Sequence, residues 1–257
     1  MVRKKIVAVI PARMGASRFP GKPLVKILDL PMIEHVRRRL SLSEVLDEVY
    51  VATCDKEIAD VVSRFDGKVV MTANTHTRCT DRVDEAAQKI DADMIVIVQG
   101  DEPLFTPQMI ERLVRPILEK RNVHCVNLLS RIKSKTDLKD INIIKTLLDK
   151  EKRVLCYSRT AIPFFHQSGP CDVFRQTGLS VFSKSFLHTF AKLPPTPHEI
   201  IESIDFLRIL EHQYPIIGVI HDGHTAGVDE PDDVAVIERI LQKDDLQRKL
   251  YQTIRNL

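Results

Sequence analysis

Several features that would assign a function outright are missing from this chain. No stretch of its 257 residues approaches the length of about 18 apolar residues that marks a membrane-spanning helix. The basic start, MVRKKIVAVIPAR, has an uninterrupted apolar run of only five residues before Pro11. That is too short for a secretory signal, so Ile6–Ile10 reads as a first strand. The five cysteines (Cys54, Cys79, Cys125, Cys156, Cys171) are odd in number, scattered and without a CxxC pair. They point to free thiols in a reducing cytoplasm and argue against a disulfide framework or a zinc site. Nine histidines occur with no HExxH and no Cys/His cluster, and no GxSxG serine elbow is present. His35 and His76 read as packing or surface residues. The net charge is only +3, from 38 basic and 35 acidic residues of interspersed sign. Such a balance speaks against nucleic acid or a membrane surface as partner, and any anionic ligand must be held by local clusters of Lys and Arg.

What remains is an ordinary globular composition, 44% hydrophobic and 28% charged. Strands are predicted at 5–10, 48–53, 68–72 and 94–99, short, β-branched and almost continuously apolar as in buried parallel sheets. Helical patterns lie between them at 31–42, 55–65 and 80–91, and a further helix at 106–120 has Thr106 as N-cap and Pro107 at its first position. This alternation predicts an α/β fold with a doubly wound, mostly parallel sheet. After about residue 122 the pattern changes. Strands at 124–132 and 141–149 have no helix between them, followed by strands at 153–158 and 175–182, helices at 184–192 and 197–212, a strand at 216–221 and a helix from Pro231 to about 243. The expectation is a single domain: a core of about 1–122 and 216–257 with a smaller α+β lobe, 123–215, inserted into it.

Two segments carry chemistry. The first strand runs into PARMGASRFPGKPL (11–24), where Arg13, Arg18 and Lys22 share ten residues with Gly15 and Gly21. Glycines let backbone N–H groups approach phosphate oxygens, and the cations grip and neutralise them. The alternative is a solvated basic turn. The spacing is neither a Walker A loop nor a GxGxxG dinucleotide fingerprint. The 94–99 strand ends in Gln99-Gly100-Asp101-Glu102-Pro103, on the same sheet edge as the loop. Asp101 there would suit magnesium beside a polyphosphate, or be an ordinary acidic turn. Asp229, in GVDEPDD (227–233), is a second strand-to-helix acid whose plainer reading is a helix N-terminal charge. TDRVDEAA (80–87) reads as a capped helix start with Thr80 as the cap.

Taken in order, IPARMGASRFPGKPL (10–24), TDR (80–82), VQGDEP (98–103), NIIK (142–145), YSRTAIPF (157–164), PPTPHEIIESIDFLRILE (194–211) and GVDEPDD (227–233) resemble the 3-deoxy-manno-octulosonate cytidylyltransferases, or CMP-Kdo synthetases, over nearly the whole chain. The resemblance implies a fold like that of nucleotide-diphospho-sugar transferases. It also implies magnesium-dependent transfer of CMP from CTP to a small sugar acid in lipopolysaccharide biosynthesis, in the cytoplasm, by a homodimer formed through the inserted lobe. It assigns Arg13, Ser17, Arg18 and Lys22 to the triphosphate, with Arg13 and Lys22 catalytic. Thr80, Asp81 and Gln99 fall beside the nucleotide, and Asp101 and Asp229 are its catalytic magnesium ligands. Arg159, Glu202 and Ser203 match the acceptor region. Departures lie there too: Gln176 stands where the family has histidine, Ser180 where it has tyrosine and Phe206 where it has glutamine, while Arg78-Cys79 replaces Ser-Gly. With Phe206 four residues after Glu202 on one helix face, Phe206 and Gln176 are expected to line the acceptor site and set its specificity. The departures leave two readings, compensated drift with the same sugar or a different acid (an amino-substituted or nine-carbon sugar acid, or a phosphonate). A silent nucleotide-binding subunit is the rival from another class, and retention of Arg13, Lys22, Asp101 and Asp229 together argues against it.

Overall fold

The computed structural model describes residues 3–15, 18–120, 122–167, 171–223 and 226–257. Ser17 of the expected phosphate loop lies outside them. In chain order the elements are β1 (Ile6–Ala12), a 3-10 turn (Lys22–Leu24), β2 (Lys26–Ile27), β3 (Leu30–Pro31), α1 (Met32–Ser41), β4 (Glu48–Thr53), α2 (Lys56–Arg64), β5 (Lys68–Met71), α3 (Cys79–Gln88), β6 (Met94–Val98) and α4 (Pro107–Glu119). There follow β7 (Cys125–Arg131), α5 (Lys135–Lys139), β8 (Lys145–Leu148), β9 (Val154–Ser158), β10 (Phe174–Ser183), α6 (Lys184–Lys192), α7 (Pro197–Glu202), α8 (Phe206–Glu211), β11 (Ile217–His221), α9 (Pro231–Lys243) and α10 (Asp245–Arg255). They form two compact units, Met1–Glu111 with His224–Leu257, and Arg112–Gly223.

In the first unit β6, β1, β4 and β5 pair in that order, all parallel. β1 is central and every residue of it is buried, which is why it is apolar without alternation. The connections from β1 lead to β4 on one side and the later β6 lies on the other, so the strand order reverses between β1 and β6. A crevice opens at such a switch point beyond the carboxyl ends of the strands, and these ends carry the cationic loop and Asp101. The end of the unit is fastened below them. Ile27, Met32, Leu104, Val228, Ile237 and Leu241 form one apolar cluster joining the segment after the loop, the segment after β6, and α9. The terminal helix expected to finish near residue 243 is followed by another, α10. Asp244 caps it, accepting the Gln247 N–H at 2.9 Å.

In the second unit β7 pairs antiparallel with β10 and parallel with β11, while β8 pairs antiparallel with β10 and β9. Because β11 runs along β7 from Ile217 to His221, it belongs to this unit and not to the core with which residues 216–221 were expected. The β7–β10 register slips between Gln176 and Ser180. Asn127 compensates: its amide donates to the carbonyls of Thr177 (3.3 Å) and Leu179 (2.9 Å) and accepts from the Tyr157 hydroxyl (3.2 Å). A five-residue helix, α5, stands between β7 and β8 where no helix was expected, started by the Ser134 side chain on the Asp137 N–H. The helix expected over 197–212 is two helices, interrupted at Ser203, whose backbone is left-handed (φ 53°, ψ 48°).

Candidate active site

The loop after β1 turns at Gly21. Gly21, at φ 75°, takes the left-handed conformation that a side chain resists, and starts the 3-10 turn carrying Lys22. Its N–H donates to the Met14 carbonyl at 3.1 Å. The segment before α9 then closes against the β6 end: the Val228 N–H donates to the Asp101 carbonyl at 2.9 Å. Gly227 permits that approach, since a Cβ there would stand 3.3 Å from the same oxygen. Past it, α9 begins with Pro231 and a capping box in which the Asp233 carboxylate accepts the N–H groups of Asp229 (2.7 Å) and Glu230 (2.8 Å). Asp229 is thereby fixed beside Asp101.

The Lys22 ammonium lies between these two acids. It is 2.6 Å from Asp101 Oδ2 and 3.8 Å from Asp229 Oδ1, and it also donates to the Val228 carbonyl at 2.7 Å. Arg18 reaches Asp229 Oδ1 at 3.0 Å. Arg13, Arg18, Lys22, Gln99, Asp101 and Asp229 all line one cleft of about 290 Å³. Two carboxylates aimed at one cation suit magnesium, which takes one or two protein carboxylates and completes its shell with phosphate and water. Among the described residues no group of three or more His, Cys, Asp and Glu could hold a metal, so a cage built wholly of protein ligands is not present there.

The opposite wall differs from the expectation. Thr80 does not cap α3. The N-cap is Arg78, and Thr80 is buried inside the first turn. Thr80 and Asp81 do not line the cleft; His76, Thr77, Arg78, Cys79 and Arg82 do. Burial pushes the Asp81 carboxyl up, against the opposing charges of Arg78 and His76. His76, expected at the surface or in packing, is a wall residue held by Glu85 at 2.6 Å. Glu85 is drawn down to about 2 by Lys89, the Ala73 N–H and His76. The Gln99 amide lies 3.9 Å from the Cys79 sulfur. Of the TDR segment only Arg82 lines the cleft, and the other wall residues, 76–79, lie just before it.

A cytidylyltransferase family model matches residues 7–217. The chain is 40% identical over 248 residues to the 3-deoxy-manno-octulosonate cytidylyltransferase of Geobacter metallireducens, covering 92% of this chain and 98% of that protein. It is 42% identical over 246 residues to the protein of the same name from Syntrophotalea carbinolica, with 92% and 98% covered. The chain belongs to the 3-deoxy-manno-octulosonate cytidylyltransferase family. Among solved structures it is similar to CMP:2-keto-3-deoxy-manno-octonic acid synthetase complexed with CTP, with a TM-score of 0.89, 31% identity, and 93% of this chain and 99% of that one covered. A 4-diphosphocytidyl-2C-methyl-D-erythritol synthase from Anaerococcus prevotii, 14% identical with a TM-score of 0.63, shares the fold. No helix among the described residues is long and apolar enough to cross a membrane.

The residues expected on the acceptor side lie in the second unit. The Glu202 carboxylate accepts the Ser158 hydroxyl and the Arg159 N–H, each at 2.9 Å. The Arg159 guanidinium donates to the carbonyls of Glu202 (2.7 Å), Ile141 (3.0 Å) and Ser203 (3.4 Å). Arg159 thus holds the α7–α8 junction, and with it the left-handed Ser203, in a conformation that surroundings must impose. Phe206 corrects the expectation made for it. The break at Ser203 removes the single helix that was to put it on the face of Glu202. Its ring is 5% exposed, packed edge-on against Phe182, Phe190 and Tyr157. It fills the core of this unit and keeps almost no exposed surface. Gln176 is half-buried beside the slipped register of β10, and its backbone N–H donates to the Ile144 carbonyl at 2.9 Å.

Proposed function

We propose that this chain transfers CMP from CTP to 3-deoxy-manno-octulosonate with the help of magnesium, releasing pyrophosphate, as a cytoplasmic homodimer supplying lipopolysaccharide synthesis. The observation that carries the reading is the convergence of Lys22, Asp101 and Asp229 in a cleft also lined by Arg13 and Arg18. The names of the relatives supply the nucleotide and the acid. The eight-carbon acid is preferred over an amino-substituted or nine-carbon acid or a phosphonate because Phe206, one of the departures from the family pattern, packs in the core. For the homodimer, the support is apolar surface on the second unit: Phe164 is 87% and Ile201 82% exposed, and Leu155 and Ile200 are also exposed.

In this reaction the acceptor hydroxyl attacks the α-phosphorus of CTP, the bond to the β-phosphate breaks and pyrophosphate departs. Arg13, Arg18 and Lys22 grip the triphosphate and take up the negative charge that grows on the leaving group. Asp101 and Asp229 would hold magnesium, which neutralises phosphate charge and acidifies the attacking hydroxyl when bound. Arg159 keeps Glu202 and Ser203 in place for the acceptor, a matter of positioning. The test is pyrophosphate release with each nucleoside triphosphate against the eight-carbon acid, the two other sugar acids and a phosphonate, with and without chelator. Turnover is expected with CTP and the eight-carbon acid alone and is abolished by chelator. Equal turnover with ATP, full activity in chelator, or preference for another acid would overturn the corresponding part.

A further inference from the structure

Asp55 immediately precedes α2 and occupies its N-cap, a position where a carboxylate ordinarily accepts an N–H of the first helical turn. It makes no such bond. Its Oδ2 instead accepts the backbone N–H of Met14 at 2.7 Å. The side chain is aimed by its surroundings. Thr53, wholly buried at the end of β4 and paired in register with Ala12 of β1, accepts the Asp55 N–H on its hydroxyl at 3.1 Å. Met14 is where the cationic loop closes, because its carbonyl in turn accepts the Gly21 N–H at 3.1 Å. Gly21 leads directly into the turn that places Lys22 between Asp101 and Asp229.

We propose that Asp55 is a positioning residue for the nucleotide: its carboxylate on the Met14 N–H sets the loop geometry in which Arg13, Arg18 and Lys22 face one triphosphate. The proposal rests on the reading of that loop as the phosphate grip. It gives a physical reason for an N-cap acid that does not cap. A charged acceptor on a half-buried amide is among the stronger hydrogen bonds available for fixing a loop.

Asp55→Ser separates the two possible duties of the residue. Serine is as good an N-cap as aspartate, so the start of α2 is kept, but its hydroxyl is too short to reach Met14. Asp55→Asn keeps an oxygen in place without the charge. In the full-length protein, pyrophosphate release is measured against CTP and acid concentration, with product inhibition by inorganic pyrophosphate and thermal melting. Asp55→Ser is expected to raise KM for CTP and the inhibition constant of pyrophosphate about tenfold, the scale of a lost hydrogen bond to a charged group. kcat should fall as well, because the same cations take up charge on the departing pyrophosphate, whereas KM for the acid and Tm should stay near the parent values, and Asp55→Asn should recover most of the loss. An unchanged KM for CTP in Asp55→Ser, while Lys22→Met raises it, would refute the role of Asp55 and leave the loop reading standing. No change in either variant would remove the loop reading and the proposal with it. A lower Tm with all kinetic constants worsened together would reduce Asp55 to a folding residue and also refute the proposal.

Discussion

Replacing Phe206 by glutamine, the residue that the family resemblance leads one to expect there, should destabilise the protein and leave its choice of acid unchanged. The ring sits with its centroid 5.8 Å from that of Phe182 at 83°, 6.3 Å from Phe190 at 87° and 6.1 Å from Tyr157 at 76°. Losing a buried phenyl costs about 1.5–3 kcal/mol of transfer free energy. The edge-to-face geometry adds about 0.5–1.5 kcal/mol. An amide enclosed by three aromatic rings finds no ready hydrogen-bond partner, at about 1–3 kcal/mol. These contributions overlap, so about 4 kcal/mol is the scale, in the range seen for truncating a core phenylalanine. Against a total stability of about 5–15 kcal/mol, such a loss should show as a large fall in the urea midpoint at unchanged slope. Phe206→Leu should recover more than half of it. Relative kcat/KM for the eight-carbon acid and its competitors, per folded molecule, should match the parent. A Phe206→Gln protein within about 1 kcal/mol of the parent but with altered acid preference would mean that the ring faces substrate, contrary to the packing argument.

Asp101→Ala should abolish turnover while costing only about 1 kcal/mol of stability, because its partner Lys22 keeps Val228 and Asp229 and the pair is partly exposed; activity at ordinary magnesium concentration would take Asp101 out of the site. Sedimentation at micromolar concentration should give a dimer, with Phe164→Ser and Ile201→Ser together giving the monomer; a monomeric parent would refute that assembly. His35 is buried with Nε2 on the Ile27 carbonyl at 2.8 Å, its ring stacked on Tyr251, and burial lowers its pKa to about 4, with Arg39 and Arg38 acting in the same direction and Asp29 against. The unfolded imidazole takes up its proton at a higher pH than the folded one, so this stability is complete above about pH 6.5 and is lost as pH falls toward about 4. Between pH 7 and 5 the parent should lose about 2 kcal/mol that His35→Gln does not, by urea titration; equal losses would contradict the burial of a neutral ring.

The fold was legible wherever burial alone dictated the pattern. β1 and β6 are buried along their whole length, and their continuous apolar runs need no partner to be recognised. The failures have specific causes. β11 defies the expectation of a core strand because a short apolar strand carries no record of which neighbour it pairs with, and its partner is β7. The break of the expected 197–212 helix at Ser203 is invisible in the sequence because serine gives no sign of a left-handed backbone; the carbonyls that fix it there are bound by Arg159, more than forty residues away. Thr80 has the residue type of a cap, yet the N-cap of α3 lies two residues earlier, at Arg78, and the first turn buries Thr80.

The chemistry of the site was legible in its charges and not in what aims them. Arg13, Arg18, Lys22, Asp101 and Asp229 are visible as charged residues at strand ends, and they meet in one cleft. The residues that put them there are bound to backbone groups of distant segments. Asp55 holds the Met14 N–H. Arg39, fully buried and lowered to about 10 by that burial, donates to the Phe105 carbonyl at 3.0 Å, and Gln247 of the unforeseen α10 donates to the Leu104 carbonyl at 2.7 Å. Both fasten the segment that follows Asp101. In the second unit Lys145, the last residue of NIIK, is buried with its ammonium on the carbonyls of Asp140, Ile143 and Arg159. Burial pulls its pKa down, but three carbonyl acceptors offset much of the cost of enclosing the charge. A side chain that satisfies a loop's backbone leaves no periodicity and no pairing of opposite charges in the sequence. Only in the folded chain do a lysine at a strand start and an acid before a helix turn out to serve loops elsewhere.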